Sequence, residues 1–399
     1  MLTKSFVFLP SWPLVLSPLL WVAILLIAAV VAGEVTQRFL RAPRIVGYVV
    51  SGVLLGPKLS SFVDNETVAS LHVFGEIAVG LLLFELGQRV DMDWLRRNPA
   101  LLAISVAEAL LTFGAVFGVL FAFEVRPVVA AACAVVAIPA SPAVVMTVVK
   151  DLRAQGQVTE RLLLLTAAGT AYASVALALL LGWVHVEARH DFVAMLTHPF
   201  YLLSGSILLA AVVGYGTVRV LRLAGRKPAF QFSVLVAVVL VSVATASVLR
   251  VPVPLTLLLL GFFTRHFDRD RHFVSLRLGE TATLFVVVLF ALVGAELKLG
   301  DWAAALAIIV VRFAAKLVPM LVLARASALS VRKSALTAAA MTPVSGLALL
   351  MLIDLNTVDP ALGAEIGNTM LTVIAILAFL GPVATHYSLR RAGDATEEG

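Results

Sequence analysis

Apolar stretches of about twenty residues recur along this chain, each long enough to cross a bilayer as one helix. A segment in hydrocarbon must satisfy its own backbone hydrogen bonds, so such stretches become helices or do not span at all. Uninterrupted apolar runs also exclude a membrane β-barrel, whose strands alternate apolar and polar residues. The fold class is therefore an all-α polytopic membrane protein. Composition agrees, with 61% hydrophobic and 14% charged residues, against roughly 25% charged in soluble domains. The formal net charge of +6 then describes loops facing anionic lipid, not a nucleic-acid surface. Thirteen spans are expected, at about 14–34, 45–61, 67–87, 99–123, 127–149, 161–183, 200–221, 230–249, 252–264, 279–297, 302–324, 334–353 and 366–388.

Loop charge checks that count. Of the 30 Lys and Arg, 22 follow odd-numbered spans, six lie on the other side, and Arg312 and Lys316 fall inside span eleven. A miscounted span would scramble this alternation, so the N-terminus is expected outside and the C-terminus in the cytoplasm. The first span is too long and too poorly flanked for a signal peptide. Residues 1–388 read as a single membrane domain and 389–399 as a frayed, charged cytoplasmic tail, with no room for a soluble domain. Cys133 lies in an apolar span, and alone supports neither a disulfide nor a metal framework.

Two spans are interrupted. Span five, AACAVVAIPASPAVVMTVVK, holds Pro139, Ser141 and Pro142 near mid-depth, where each proline removes a donor and frees a carbonyl. Span twelve, ALTAAAMTPVSGLALLMLI, holds Thr342, Pro343, Ser345 and Gly346 at a comparable depth. Seven crossings separate the two, so the broken helices run in opposite directions. The ends of spans three and ten, LLLFELGQRVD and VVLFALVGAEL, echo one another at the same separation. Repeat units of about 67–149 and 279–353 follow, and matched breaks in inverted halves point to a secondary-transporter site.

The runs RIVGYVVSGVLLGP, PASPAVVMTVVKDL, VGAEL and TPVSGLALL resemble the monovalent cation:proton antiporter superfamily, and GPVATHYSLRRAG is similar to its bacterial branch that includes glutathione-gated potassium effluxers. The resemblance covers nearly the whole chain. It implies a core bundle that moves against a dimerisation panel, two half-broken helices crossing at the ion site, a homodimer in the bacterial inner membrane, and a monovalent cation and protons as the exchanged partners.

Arg312 and Lys316, at i and i+4, share one helix face near mid-depth. Charges there are too far from either interface to snorkel, and face protein or water instead. The resemblance matches Lys316 to a lysine that pairs with an essential aspartate of span six. Here span six reads LLLLTAAGTAYASVALALLLG, the family's acidic pair falls on Thr170 and Ala171, and no carboxylate lies between Glu160 and Glu187. Thr170, Tyr172 and Ser174 can coordinate or hydrogen-bond but do not titrate near neutral pH. Glu34, Glu76, Glu85, Glu108 and Glu296 are candidate carboxylates in or at the ends of other spans. Glu108 and then Glu76 are the expected compensating partners of Lys316. Arg89 stands where relatives carry a glutamate. Gly52-xxx-Gly56 and Gly114-xxx-Gly118 read as close helix contacts, and His386 as interfacial.

The expected function is exchange of Na+ or K+ for protons by alternating access, with no cofactor and no enzymatic site. The rivals are a carrier of an anionic solute using Arg312 and Lys316, and a transport-inactive membrane sensor or partner.

Overall fold

A computed structural model describes residues 18–57, 59, 68, 71–189, 192–224, 228–268, 280–297, 300–344 and 346–395. Among them the regular elements are helices: α1 (Pro18–Leu40), α2 (Arg44–Leu55), α3 (His72–Arg89), the short α4 (Met92–Arg97), α5 (Pro99–Ala122), α6 (Pro127–Ala137), α7 (Pro142–Asp151), α8 (Gln157–Arg189), α9 (Phe192–Ala224), α10 (Pro228–Val248), α11 (Val253–Phe267), α12 (Glu280–Glu296), α13 (Trp302–Val322), α14 (Val331–Ala340), α15 (Gly346–Val358) and α16 (Pro360–Ala392). Among the described residues, eight segments are long and apolar enough to cross a membrane, and four shorter apolar helices join them. The fifth expected span is divided, among the described residues, between α6 and α7 and the twelfth between α14 and α15.

Both interruptions follow from local chemistry. Pro142 takes the first position of α7, where its missing N–H removes no helical bond. Ser141 caps that helix, its hydroxyl accepting from the Val144 amide at 3.4 Å. In span twelve, α14 ends at Ala340 and α15 begins at Gly346, with Pro343 between them. Within Pro127–Asp151 an apolar stretch of 18 residues is entirely buried, whereas only a third of the corresponding stretch in Phe230–Val248 is. The first broken helix thus lies in the bundle interior, where freed backbone groups can find protein partners, and α10 faces lipid.

Helix contacts reveal the inverted repeat. A Cβ on Gly52 of α2 would stand 1.9 Å from the Ala291 carbonyl oxygen of α12, and one on Gly294 would stand 2.1 Å from that of Val49. The pair α11 and α3 repeats this contact: Gly261 meets the Phe84 oxygen at 2.0 Å and Gly87 meets that of Leu258 at 2.1 Å. Spans two and ten therefore touch backbone to backbone as spans nine and three do. Around the breaks, α5 lies against α13, α14 against α13 and α16, and α7 against α8 and α16.

Two expectations need correction. Gly52 and Gly56 do make a close helix contact, but a Cβ on Gly114 or Gly118 would have nothing within 4 Å. These two glycines lie on the outer stripe of α5 with exposed Leu102, Val106 and Leu110; small-residue spacing does not distinguish a helix contact from a lipid face. Nor does the chain fray at residue 389. Helix α16 continues to Ala392, Gly393 closes it in the left-handed region at φ 76°, and Asp394 is buried. The Asp394 carboxylate accepts from the Thr159 amide at 2.8 Å and hydroxyl at 3.0 Å, capping the first turn of α8.

Candidate ion site

Each break exposes carbonyl oxygens that an intact helix would have consumed. At the first these belong to Ala137, Ile138 and Pro139; at the second, to Met341 and Thr342. Arg312 of α13, 1% exposed, serves both. Its Nε donates to the Ala137 oxygen at 2.7 Å and Nη2 to that of Pro139 at 3.0 Å, while Nη1 donates to the Thr342 oxygen at 2.8 Å and Nη2 also approaches that of Met341 at 3.4 Å. The rigid fork of donors suits this task, which a lysine could not perform. It also places a positive charge at the C-terminal, partially negative ends of α6 and α14. A backbone bond joins the breaks directly, from the Ser141 amide to the Pro343 oxygen at 2.8 Å.

One turn further along α13, Lys316 is fully buried. Its ammonium donates to the Ile138 oxygen at 2.8 Å and forms an ion pair with the Glu108 carboxylate of α5. Glu108 is 1% exposed, and the Thr112 hydroxyl donates to the same carboxylate at 3.4 Å. In so dry a setting neither charge is tolerable without the other, and removing one partner of such a pair costs about 3–5 kcal/mol.

The other sequence candidates divide. Ser141, Pro142, Thr342 and Pro343 lie at the crossing; Ser345 lies outside the described residues. Span six runs alongside, a Cβ on Gly169 coming 3.6 Å from Pro139. Its hydroxyls turn back on α8, Thr170 donating to the Thr166 oxygen and Ser174 to that of Thr170, both at 2.9 Å. Ala171 is partly buried against the core. Glu76 does not reach Lys316. It sits on α3, lining a cavity with His72 and Glu296, which form an ion pair of their own. Depth in the membrane put Glu76 level with the site, but the face it occupies points elsewhere. Glu85, 4% exposed, accepts from Lys150 of α7 at 2.5 Å and from Arg89 at 3.2 Å.

Residues not singled out from sequence complete the support. A Cβ on Gly381 would stand 2.7 Å from the Pro343 Cα, and the Thr385 hydroxyl donates to the Ala340 oxygen at 2.9 Å. Both belong to the GPVATHYSLRRAG run, where a glycine four residues before a threonine on one helix face was the available signal.

A family model described as the transmembrane sodium/hydrogen exchanger matches residues 22–390. The chain belongs to this family. Its fold is that of the sodium proton antiporter MjNhaP1 from Methanocaldococcus jannaschii. Against the electron-microscopy map of that protein the TM-score is 0.74 at 14% identity, over 95% of this chain and 98% of the other. Against its structure at pH 8 the score is 0.66 at 13% identity, over 94% and 95%. A curated relative, the iron transporter MagA of Paramagnetospirillum magneticum, is 40% identical over 75 residues. That alignment takes in 18% of this exchanger and only 16% of the relative's length. Membership makes the chain a multi-pass membrane protein of the sodium/hydrogen exchanger family. At its centre an ion pair joins spans four and eleven, beside a span six with no carboxylate between Glu160 and Glu187.

Proposed function

We propose that this antiporter exchanges a monovalent cation, Na+ or K+, for protons by alternating access, and that Glu108 and Lys316 are the groups at which the two compete. The observation that carries this reading is the buried Glu108–Lys316 pair, joined to the first break through the Ile138 carbonyl. With Lys316 protonated, its ammonium occupies the Glu108 carboxylate and that carbonyl oxygen. When the proton leaves, a neutral amine remains, and the carboxylate with the neighbouring carbonyls becomes a set of hard oxygen ligands. A cation bound there repels the ammonium form, so each species expels the other. Lys316 thus takes the titrating role, and Glu108 supplies the carboxylate ligand that span six lacks.

The reading extends to a single membrane domain over residues 1–388, a homodimer, and a bacterial inner membrane with the C-terminus in the cytoplasm. An anion carrier fits less well: Arg312 is engaged with the carbonyls of both breaks, and a solute anion would have to displace them.

Proteoliposomes with an imposed pH gradient test the proposal. Na+ or K+ should drive proton movement in the unmodified protein, and Glu108→Gln should reduce it at least about a hundredfold, because the amide removes the one anionic ligand for which cation and ammonium compete. Fe2+ and organic anions belong in the same panel. Unchanged exchange in Glu108→Gln would remove the pair from the mechanism, and flux of an anion alone would replace the proposal.

A further inference from the structure

Away from the crossing, a cavity of about 420 Å³ opens where the turn between α1 and α2 meets the ends of α7 and α16. Arg41, Arg44, Arg153, Arg390 and His386 line it, with Asp151 as the carboxylate among them. Arg44 also pairs with Glu34 at 3.2 Å. Even with both carboxylates counted, four guanidiniums leave two positive charges in excess. Like charges held around one cavity repel unless a counter-ion joins them. Arg41, Arg153 and Arg390 are exposed, so an incoming group can reach them.

We propose that this cavity binds a phosphate-bearing anion, supplied by a lipid headgroup or from solution. Several arginines around a mostly polar lining suit a tetrahedral oxyanion, which guanidinium forks engage through paired hydrogen bonds. The position suits a headgroup as well, because every lining residue belongs to a helix end or a turn on the arginine-rich face. The bound anion fastens the α1–α2 turn to the C-terminal end of α7, the half-helix that follows the first break. Occupancy therefore bears on how freely the broken helix moves against its surroundings.

The test uses the full chain in nanodiscs and reads its unfolding midpoint, which makes it independent of whether the protein exchanges cations. Phosphatidylcholine discs are compared with discs containing phosphatidylglycerol, and separately with phosphatidylcholine discs titrated with inorganic phosphate. Stabilisation by phosphatidylglycerol alone assigns the site to a headgroup; stabilisation by inorganic phosphate assigns it to a soluble anion. The Arg41→Gln/Arg153→Gln/Arg390→Gln variant should need at least about tenfold more anion for the same shift, because three of the four guanidiniums that attract it are gone. Arg96→Gln/Arg97→Gln, which removes charges outside the cavity, should respond as the unmodified chain does. Should the triple variant not fold, Arg153→Gln alone takes its place, with a smaller loss in the same direction. No shift with either anion, or equal responses from cavity and control variants, overturns the proposal.

Discussion

The two broken helices are alike in outline and unequal in what holds them. Each interrupts a span at a proline, each offers carbonyls to Arg312, and each lies beside a glycine of a neighbouring helix: Gly169 for the first and Gly381 for the second. Only the first break also receives Lys316, and through it Glu108. The inverted repeat thus accounts for the scaffold, whereas the ionisable chemistry gathers on one half. Spans four and eleven are counterparts in the repeat, and they carry opposite charges that meet. A symmetric fold has been given a polar difference at its centre.

Mutations can break this comparison. Arg312→Met should do most harm, because it strips donors from both breaks at once. Several buried carbonyls left at about 1–3 kcal/mol each amount to roughly 4 kcal/mol or more, a large share of a typical folding stability of about 5–15 kcal/mol. Thermal unfolding in detergent would register this as the lowest midpoint of the series. A milder effect than that of Lys316→Met would mean that the breaks do not share Arg312 as a staple.

Next comes the one-sided pair. Lys316→Met or Glu108→Leu alone should destabilise by about 3–5 kcal/mol, whereas the double variant should recover much of that loss, since apolar replacement of a whole buried pair is often neutral. The recovered double variant should still fail to exchange ions. Additive losses in the double-mutant cycle would show that the two side chains do not interact.

The smallest effect compares the two glycines. Gly381→Ala forces a Cβ to within 2.7 Å of the Pro343 backbone and should cost about 1–3 kcal/mol through overpacking. Gly169→Ala meets Pro139 at an ordinary 3.6 Å and should be neutral or stabilising by up to ~1 kcal/mol, from helix propensity. Equal midpoints for the two variants would make the halves more alike than their contacts indicate.

Much of this architecture was legible in the sequence because membranes enforce it. Apolar length gave the spans, and the prolines, with their freed carbonyls, gave the breaks. Depth alone marked Glu108, Arg312 and Lys316 as groups that must face protein. Depth carries no information about azimuth, however. Glu76 looked equivalent to Glu108 in the sequence, yet it faces the His72–Glu296 cavity. The division of labour between Arg312 and Lys316 was equally hidden, since it depends on where two distant breaks cross. The Asp394 cap was missed because a short polar tail has no periodicity from which a buried contact could be inferred.

The link from Arg312 to Ala137 spans 175 residues of sequence. Synthesis proceeds at about 5–20 residues per second, so the first broken helix is made roughly 10–35 s before its staple exists. During that interval its freed carbonyls lack the guanidinium they hold in the finished fold, and hydrocarbon offers no substitute. The half-built protein must therefore keep this segment in contact with water or with the insertion machinery until span eleven arrives. Biogenesis acquires an obligatory order, in which the centre of the molecule is among the first parts made and the last to be secured.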